Sequence, residues 1–260
     1  MTRTPLGRVA ALTLTLVCGA ACGSGSKSSA PTTQATPTTA KPASGAVEPG
    51  SSYRPTIDPA NFRGTVDNPW FPLKPGSTYV YAGVKDGKPT RDVYTVTRAI
   101  RIIDGVPCAV ISDRLSEAGK LFERTTDYYT QDLHGNVWYF GEATAELDPN
   151  GKVTSTDGSW LAGRDGAQPG IFMESIPVVG HAFRQEYYAG NAEDQYAVVS
   201  LASPVKVPYG SFTNALLTRE TTRLEPGGLD HKYYVKGVGE VAEITVTGPK
   251  ERGLLVSYTP

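Results

Sequence analysis

The chain is poor in the residues that most often announce chemistry. It has three cysteines and three histidines in 260 residues. Cys18 and Cys22 fall close to the N-terminus, which leaves Cys108 alone downstream and excludes a disulfide framework there. The histidines, His134, His181 and His231, share no metal-ligand spacing with one another or with a cysteine pair. Phosphate-cradling and dinucleotide glycine patterns are absent, and Tyr209-Gly-Ser-Phe212 lacks the second glycine of a nucleophile elbow. Residues 132–136 and 148–151 offer oxygens but are too short for a calcium loop, and read as turns. The sequence therefore predicts neither a metal nor a cofactor. No basic run or basic stripe with interleaved aromatics occurs, which argues against nucleic acid as a partner. No window of eleven or more residues shows a helical apolar period.

What is present begins at the N-terminus. Arg3 and Arg8 precede the uncharged stretch 9–21, which runs into Cys22. Thirteen residues fall short of the ~20 that span a bilayer as a helix. The layout is that of a lipoprotein signal: a basic start, a short apolar segment, the small residues Ala20 and Ala21, then a cysteine for acylation. Gly19 departs from the aliphatic residue usual at that place, and a plain secretory signal is the alternative. The expectation is a signal at 1–21, lipidation at Cys22, and a membrane-anchored protein on the extracytoplasmic face. Residues 23–50 contain 23 Gly, Ser, Thr, Pro or Ala among 28, with no aromatic, so 22–56 reads as a disordered tether. A Thr- and Pro-rich tract of this kind also suits glycosylation.

Residues 57–260 suffice for one well-buried domain. They carry 20 Lys and Arg against 25 Asp and Glu, a formal charge of −5. Short β-prone runs alternate with turn signals: strands are expected at 78–84, 90–103, 106–115, 121–131, 137–147, 152–156 and 159–162. Asp86-Gly87, Asp104-Gly105 and Asp148-Pro-Asn-Gly151 supply the turns. The second half adds 181–188, 195–201, 205–207, 216–224, 229–235, 240–247 and 254–258, with a helical turn at 212–215. About a dozen strands at this spacing predict an all-β, antiparallel fold, either a strongly curved sheet or a partly open barrel. Cys108 lies in the apolar run Val106-Pro-Cys-Ala-Val-Ile111, where a buried, inert thiol is expected. The fourteen tyrosines suit the rim of such a sheet, ring packed and hydroxyl wet.

Several segments resemble a family of exported actinobacterial and other bacterial proteins of unknown function. They are Asn68-Pro-Trp-Phe-Pro-Leu-Lys-Pro-Gly76, Asp127-Tyr-Tyr-Thr-Gln-Asp132 with Gly135-Asn-Val-Trp-Tyr-Phe-Gly-Glu142, and Pro169-Gly-Ile-Phe-Met173. Arg184-Gln-Glu-Tyr-Tyr188 with Ala192-Glu-Asp194 and Asp230-His-Lys-Tyr-Tyr-Val-Lys-Gly-Val-Gly239 complete the set. The resemblance spans the folded region and implies no activity. The closing segment is also similar to the last hairpins of lipoprotein-carrier-like half-barrels, a likeness of fold and not of function.

Period two along 183–188 sets Arg184, Glu186 and Tyr188 on one strand face; along 229–235 it groups His231 with Tyr233. With Glu193 and Asp194 these form a candidate surface for a small polar, amphipathic or glycan ligand. The bland alternative is a cross-strand charge ladder. Non-covalent binding of such a ligand or an envelope partner is the first functional expectation. A carboxylate-dependent envelope hydrolase or lyase using Glu186, Glu193 and Asp194 is the second, and a structural envelope protein the third.

Overall fold

The computed structural model describes residues 53–260; the signal, Cys22 and the tether up to residue 52 lie outside the described residues. Sixteen strands, one three-residue 3-10 turn (Pro59–Asn61) and no α-helix make up the described residues. The all-β expectation is met. In chain order the first eight strands are β1 (Phe62–Arg63), β2 (Thr78–Lys85), β3 (Lys88–Ile103), β4 (Val106–Glu117), β5 (Lys120–Asp132), β6 (Val137–Leu147), β7 (Val153–Ser155) and β8 (Trp160–Leu161). The rest are β9 (Gln168–Met173), β10 (Ala182–Arg184), β11 (Glu186–Tyr187), β12 (Asp194–Val207), β13 (Gly210–Thr222), β14 (Leu229–Val235), β15 (Gly239–Thr247) and β16 (Arg252–Thr259).

Thirteen of them follow one antiparallel path, β10-β12-β13-β14-β15-β16-β2-β3-β4-β5-β6-β9-β11, with β1, β7 and β8 paired on its flank. The two ends of that path, β10 and β11, are separated in the chain only by Gln185. The strand expected at 181–188 is thus two strands, β10 bonded to β12 and β11 bonded to β9. This segment is the seam that brings the sheet round into a nearly closed barrel. Gly170 of β9 makes the approach possible: a Cβ there would stand 2.3 Å from the Arg184 carbonyl oxygen and 2.5 Å from the Gln185 carbonyl carbon.

Turn chemistry explains the long hairpins. Asp86-Gly87 and Asp104-Gly105 each adopt two consecutive positive φ angles, the mirror-image turn that matches strand twist. Residues 195–201 and 205–207 belong to a single strand, β12, kept continuous by register shifts at Ser200 and Ser203. The helical turn expected at 212–215 is also strand: Val207 pairs with Gly210 across a two-residue turn, and Phe212 and Ala215 pair back onto β12. Pairing onto β12 overrides any local helical preference there. Tyr53, which the sequence places in the expected tether, is buried and donates its hydroxyl to the Pro169 carbonyl at 3.0 Å.

The Asn68-Pro-Trp-Phe segment plugs the barrel. Phe71 lies 5.3 Å from Tyr129, 4.6 Å from Phe172 and 6.5 Å from Tyr234, so one ring ties β5, β9 and β14 together. Asn68 is buried and donates to the carbonyls of Gly135 and Glu174, while its own oxygen accepts from the Trp70 amide. Asp132 holds the following turn, accepting from His134 N, Asn136 N and the Trp138 indole. These stretches carry the family resemblance, and here they pack the fold.

Candidate functional site

The register places carboxylates on the inner face of neighbouring strands. Asp92 faces Tyr81, Asp113 lies between Tyr94 and Thr125, and Asp127 pairs with Glu142. Tyr139 donates to Asp127 at 2.8 Å, and Tyr129 stacks on Tyr139 with centroids 4.6 Å apart. Burial pushes the Asp113 carboxyl well up, helped by its hydrogen bond to Asp92 and the negative charge around it. Across the barrel, Glu220 accepts from the Thr218 hydroxyl, and Lys232 stands 3.9 Å from Glu240 and 3.5 Å from Glu243. Burial raises Glu220 to about 7 and Glu240 to about 8, outweighing the attraction of Lys232. The inner-face tyrosines Tyr81, Tyr94, Tyr129, Tyr139 and Tyr234 are likewise displaced upward by burial. Eight tyrosines are buried instead of sitting on the rim: Tyr53, Tyr79, Tyr128, Tyr129, Tyr139, Tyr187, Tyr196 and Tyr234. Tyr139 meets the inner carboxylate Asp127, and Tyr53 and Tyr79 donate to the Pro169 and Pro72 carbonyls, so burial does not strand these hydroxyls.

The predicted site residues scatter. Arg184 is fully buried, its guanidinium carbon 4.6 Å from the Tyr187 ring centroid and 5.6 Å from that of Tyr53. Gln185 breaks the alternation, so Arg184, Glu186 and Tyr188 do not share one strand face: Phe183 through Tyr187 are all buried. Glu186 accepts from the Trp160 indole at 2.8 Å. Glu193 accepts from the Gly190 amide at 2.9 Å and lies 3.8 Å from Arg223. Asp194 opens β12 opposite Thr222. His231 and Tyr233 sit on β14, paired with Arg219 and Leu217, on the face opposite Lys232 and Tyr234. Of the other histidines, His134 is exposed and His181 pairs with Glu174 at 2.8 Å. Among the described residues no three His, Cys, Asp or Glu side chains converge as metal ligands.

Two hollows share Arg101, Leu161 and Arg164. The larger, about 290 Å³, adds Glu142, Ser159, Trp160, Asp165 and Tyr188; the smaller, about 200 Å³, adds Ile102, Asp104 and Gly163. Arg101 is fixed from below, donating to the Tyr128 hydroxyl with its guanidinium 4.7 Å from that ring. Trp160 is held by Glu186 and meets Tyr139 edge-on at 5.5 Å, so the groove rests on the inner network. Only Tyr188 of the predicted residues lines it, with Glu186 one bond behind. Sequence reading missed Arg101 and Arg164 because β3 and the turn after β8 meet only in the folded sheet.

The fold and groove define an all-β barrel with a polar interior and a hollow lined by two arginines, two carboxylates and two aromatic rings. No family model matches the chain, nor does any curated protein. Two solved structures are similar to it. One, from Bacteroides fragilis, is described as an exported protein with a YMCC-like fold; it is 15% identical over 74% of this chain and 99% of that one, with a TM-score of 0.42. The other, described as a lipoprotein from Parabacteroides distasonis, is 11% identical over 74% and 99%, with a TM-score of 0.40. Likenesses this remote establish neither a shared fold nor a shared function.

Proposed function

We propose that this chain is a lipid-anchored protein of the extracytoplasmic membrane face that binds a small anionic, hydroxyl-bearing ligand without transforming it. The observation that carries the reading is the groove lined by Arg101, Arg164, Trp160 and Tyr188, with Glu142 and Asp165 also in its lining. Guanidinium groups recognise carboxylate or phosphate through paired hydrogen bonds, and an aromatic face suits a sugar ring. A hollow of about 290 Å³ stands at the small end of ligand sites, which fits one ring or a small acid rather than a polymer. The signal layout ending at Cys22 supports the anchor. The hydrolase reading is weaker, because Glu186 and Glu193 are each engaged in holding neighbouring backbone or indole groups.

Titration with uronic acids, sugar phosphates and inorganic phosphate tests the binding. Arg164→Ala is expected to weaken the best ligand roughly tenfold or more, the value of a charge-assisted pair, with an unchanged melting temperature. A blank across all three classes, or binding indifferent to Arg164, refutes it. Independently, Cys22→Ala is expected to release the protein from the membrane fraction, and mass spectrometry of the mature N-terminus to show acylation.

A further inference from the structure

The loop between β9 and β10 exposes aliphatic side chains that the groove does not use. Ile176 is 78% exposed, Val178 44% and Val179 57%, while Pro177 between them is buried. The loop is held in that posture. Ser175 N donates to Asn136 Oδ1 at 2.9 Å, Asn68 donates to the Glu174 carbonyl, and His181 N returns to the Val178 carbonyl at 3.0 Å. Gly180 N to Val198 O and Val198 N to His181 O bind it to β12, whose Val199 and Leu201 are each 40% exposed. From Ser175 to Gly180 there is no charged residue. Scattered exposed aliphatics need no explanation, but a pinned, uncharged group of this kind marks a contact surface.

The chain outside the structure indicates what it contacts. The described residues begin at Tyr53, whose ring lies against Arg184 at the end of β10. The loop ends at Gly180, four residues before Arg184, or about 13 Å along an extended chain. The chain leading from Cys22 therefore enters the described residues near this loop, with 30 residues between Cys22 and Tyr53. We propose that the 175–180 loop, with Val199 and Leu201, is a membrane-contact surface that seats its aliphatic side chains in the interfacial region of a zwitterionic bilayer. This rests on the lipid-anchored reading. Lacking charge of its own, the surface is expected to be indifferent to salt and to anionic lipid, unlike a polybasic patch.

The test uses the full chain, anchored in phosphatidylcholine vesicles, with Val178→Cys carrying a polarity-sensitive fluorophore; Cys108 is buried and stays unlabelled. Val246→Cys, at a position 51% exposed on β15, is the reference. The expected result is a blue shift and strong quenching by lipid-borne quencher at 178 and neither at 246. Equal wetness at the two positions overturns the proposal. So does a blue shift that needs no vesicles and grows with protein concentration, which would assign the surface to a second copy. A second arm floats the full chain bearing Cys22→Ser with excess vesicles. There Ile176→Asp with Val179→Asp is expected to lower partitioning roughly tenfold, from the apolar area lost. No difference in that arm overturns the proposal, whereas flotation of the unaltered chain no better than Cys22→Ser refutes the anchor alone.

Discussion

Replacing Arg184 by alanine separates a seam residue from a ligand residue. The side chain is fully buried against the Tyr53 and Tyr187 rings, at the point where the two ends of the sheet meet through Gln185. Truncation leaves a void where a long side chain filled the seam and removes both cation–ring contacts. Voids from large buried side chains cost about 3–5 kcal/mol, and desolvated cation–ring contacts contribute within that range. For a domain of this size each kcal/mol lowers the melting point by roughly 2–4 °C, so a drop of roughly 6–20 °C is expected. Thermal unfolding followed by circular dichroism reads it directly. Arg184→Met refines the reasoning, because it keeps most of the volume and removes the charge that is costly to bury. It should recover at least half of the loss, since apolar replacement of a buried ion is often neutral or better. A melting point for Arg184→Ala within about 2 °C of the unaltered chain would refute the seam assignment.

Two further outcomes follow from close packing. Gly170→Ala is expected to destabilise by more than a helix or loop Gly→Ala change, because its Cβ would stand 2.3 Å from the backbone oxygen of Arg184; near-native denaturant unfolding would show that the seam gives way easily. Cys108 is fully buried and its thiol is pushed up to about 12, so it should resist alkylation in native buffer and react after denaturation. Cys108→Ser should cost on the order of 1–3 kcal/mol, and fast native labelling would contradict its burial.

The strand ladder was legible wherever turn chemistry and period two acted alone. β6 and β14 were read to the residue, and Asp86-Gly87 and Asp104-Gly105 turn where positive φ was expected. Closure was not legible. Gln168–Met173, with Pro169 and Gly170, is not among the expected strands, yet it is one, and its glycine admits the backbone of Arg184 and Gln185. The same closure breaks 181–188 at Gln185 and buries both faces of that segment, so alternation stopped indicating inside and outside. The inner carboxylates carry a signal in the sequence: Asp92, Asp113 and Asp127 occupy the same strand parity as Tyr94, Ile111 and Tyr129. An acidic residue on the inward parity of three consecutive strands points to a polar interior. Arg101 and Arg164 had none, since nothing local couples β3 to the turn after β8.

A polar interior of this kind has a consequence for pH. Every carboxyl in the described residues with a resolved displacement is displaced upward: Asp113, Glu146, Glu174, Glu220, Glu240 and Glu251. A raised carboxyl binds its proton more tightly in the folded chain than in the unfolded one. Its contribution is therefore complete below the unfolded value, near 4.5, and is lost as pH rises through the folded value. Glu220, at about 7, and Glu240, at about 8, place that loss between pH 5 and 8. For Glu220 alone the loss approaches roughly 3 kcal/mol, with 1.36 kcal/mol for each pH unit of difference. Glu220→Gln keeps an oxygen to accept from Thr218 and carries no charge to bury. It is expected to match or exceed the unaltered chain at pH 8, to gain little at pH 5, and to flatten the slope between them. Urea unfolding at pH 5, 6, 7 and 8 measures this for both chains. Stability that rises over that interval, or a slope that Glu220→Gln leaves intact, would mean that water or a counter-ion reaches these carboxyls. The barrel interior, rather than the groove, would then be the place to look for a ligand.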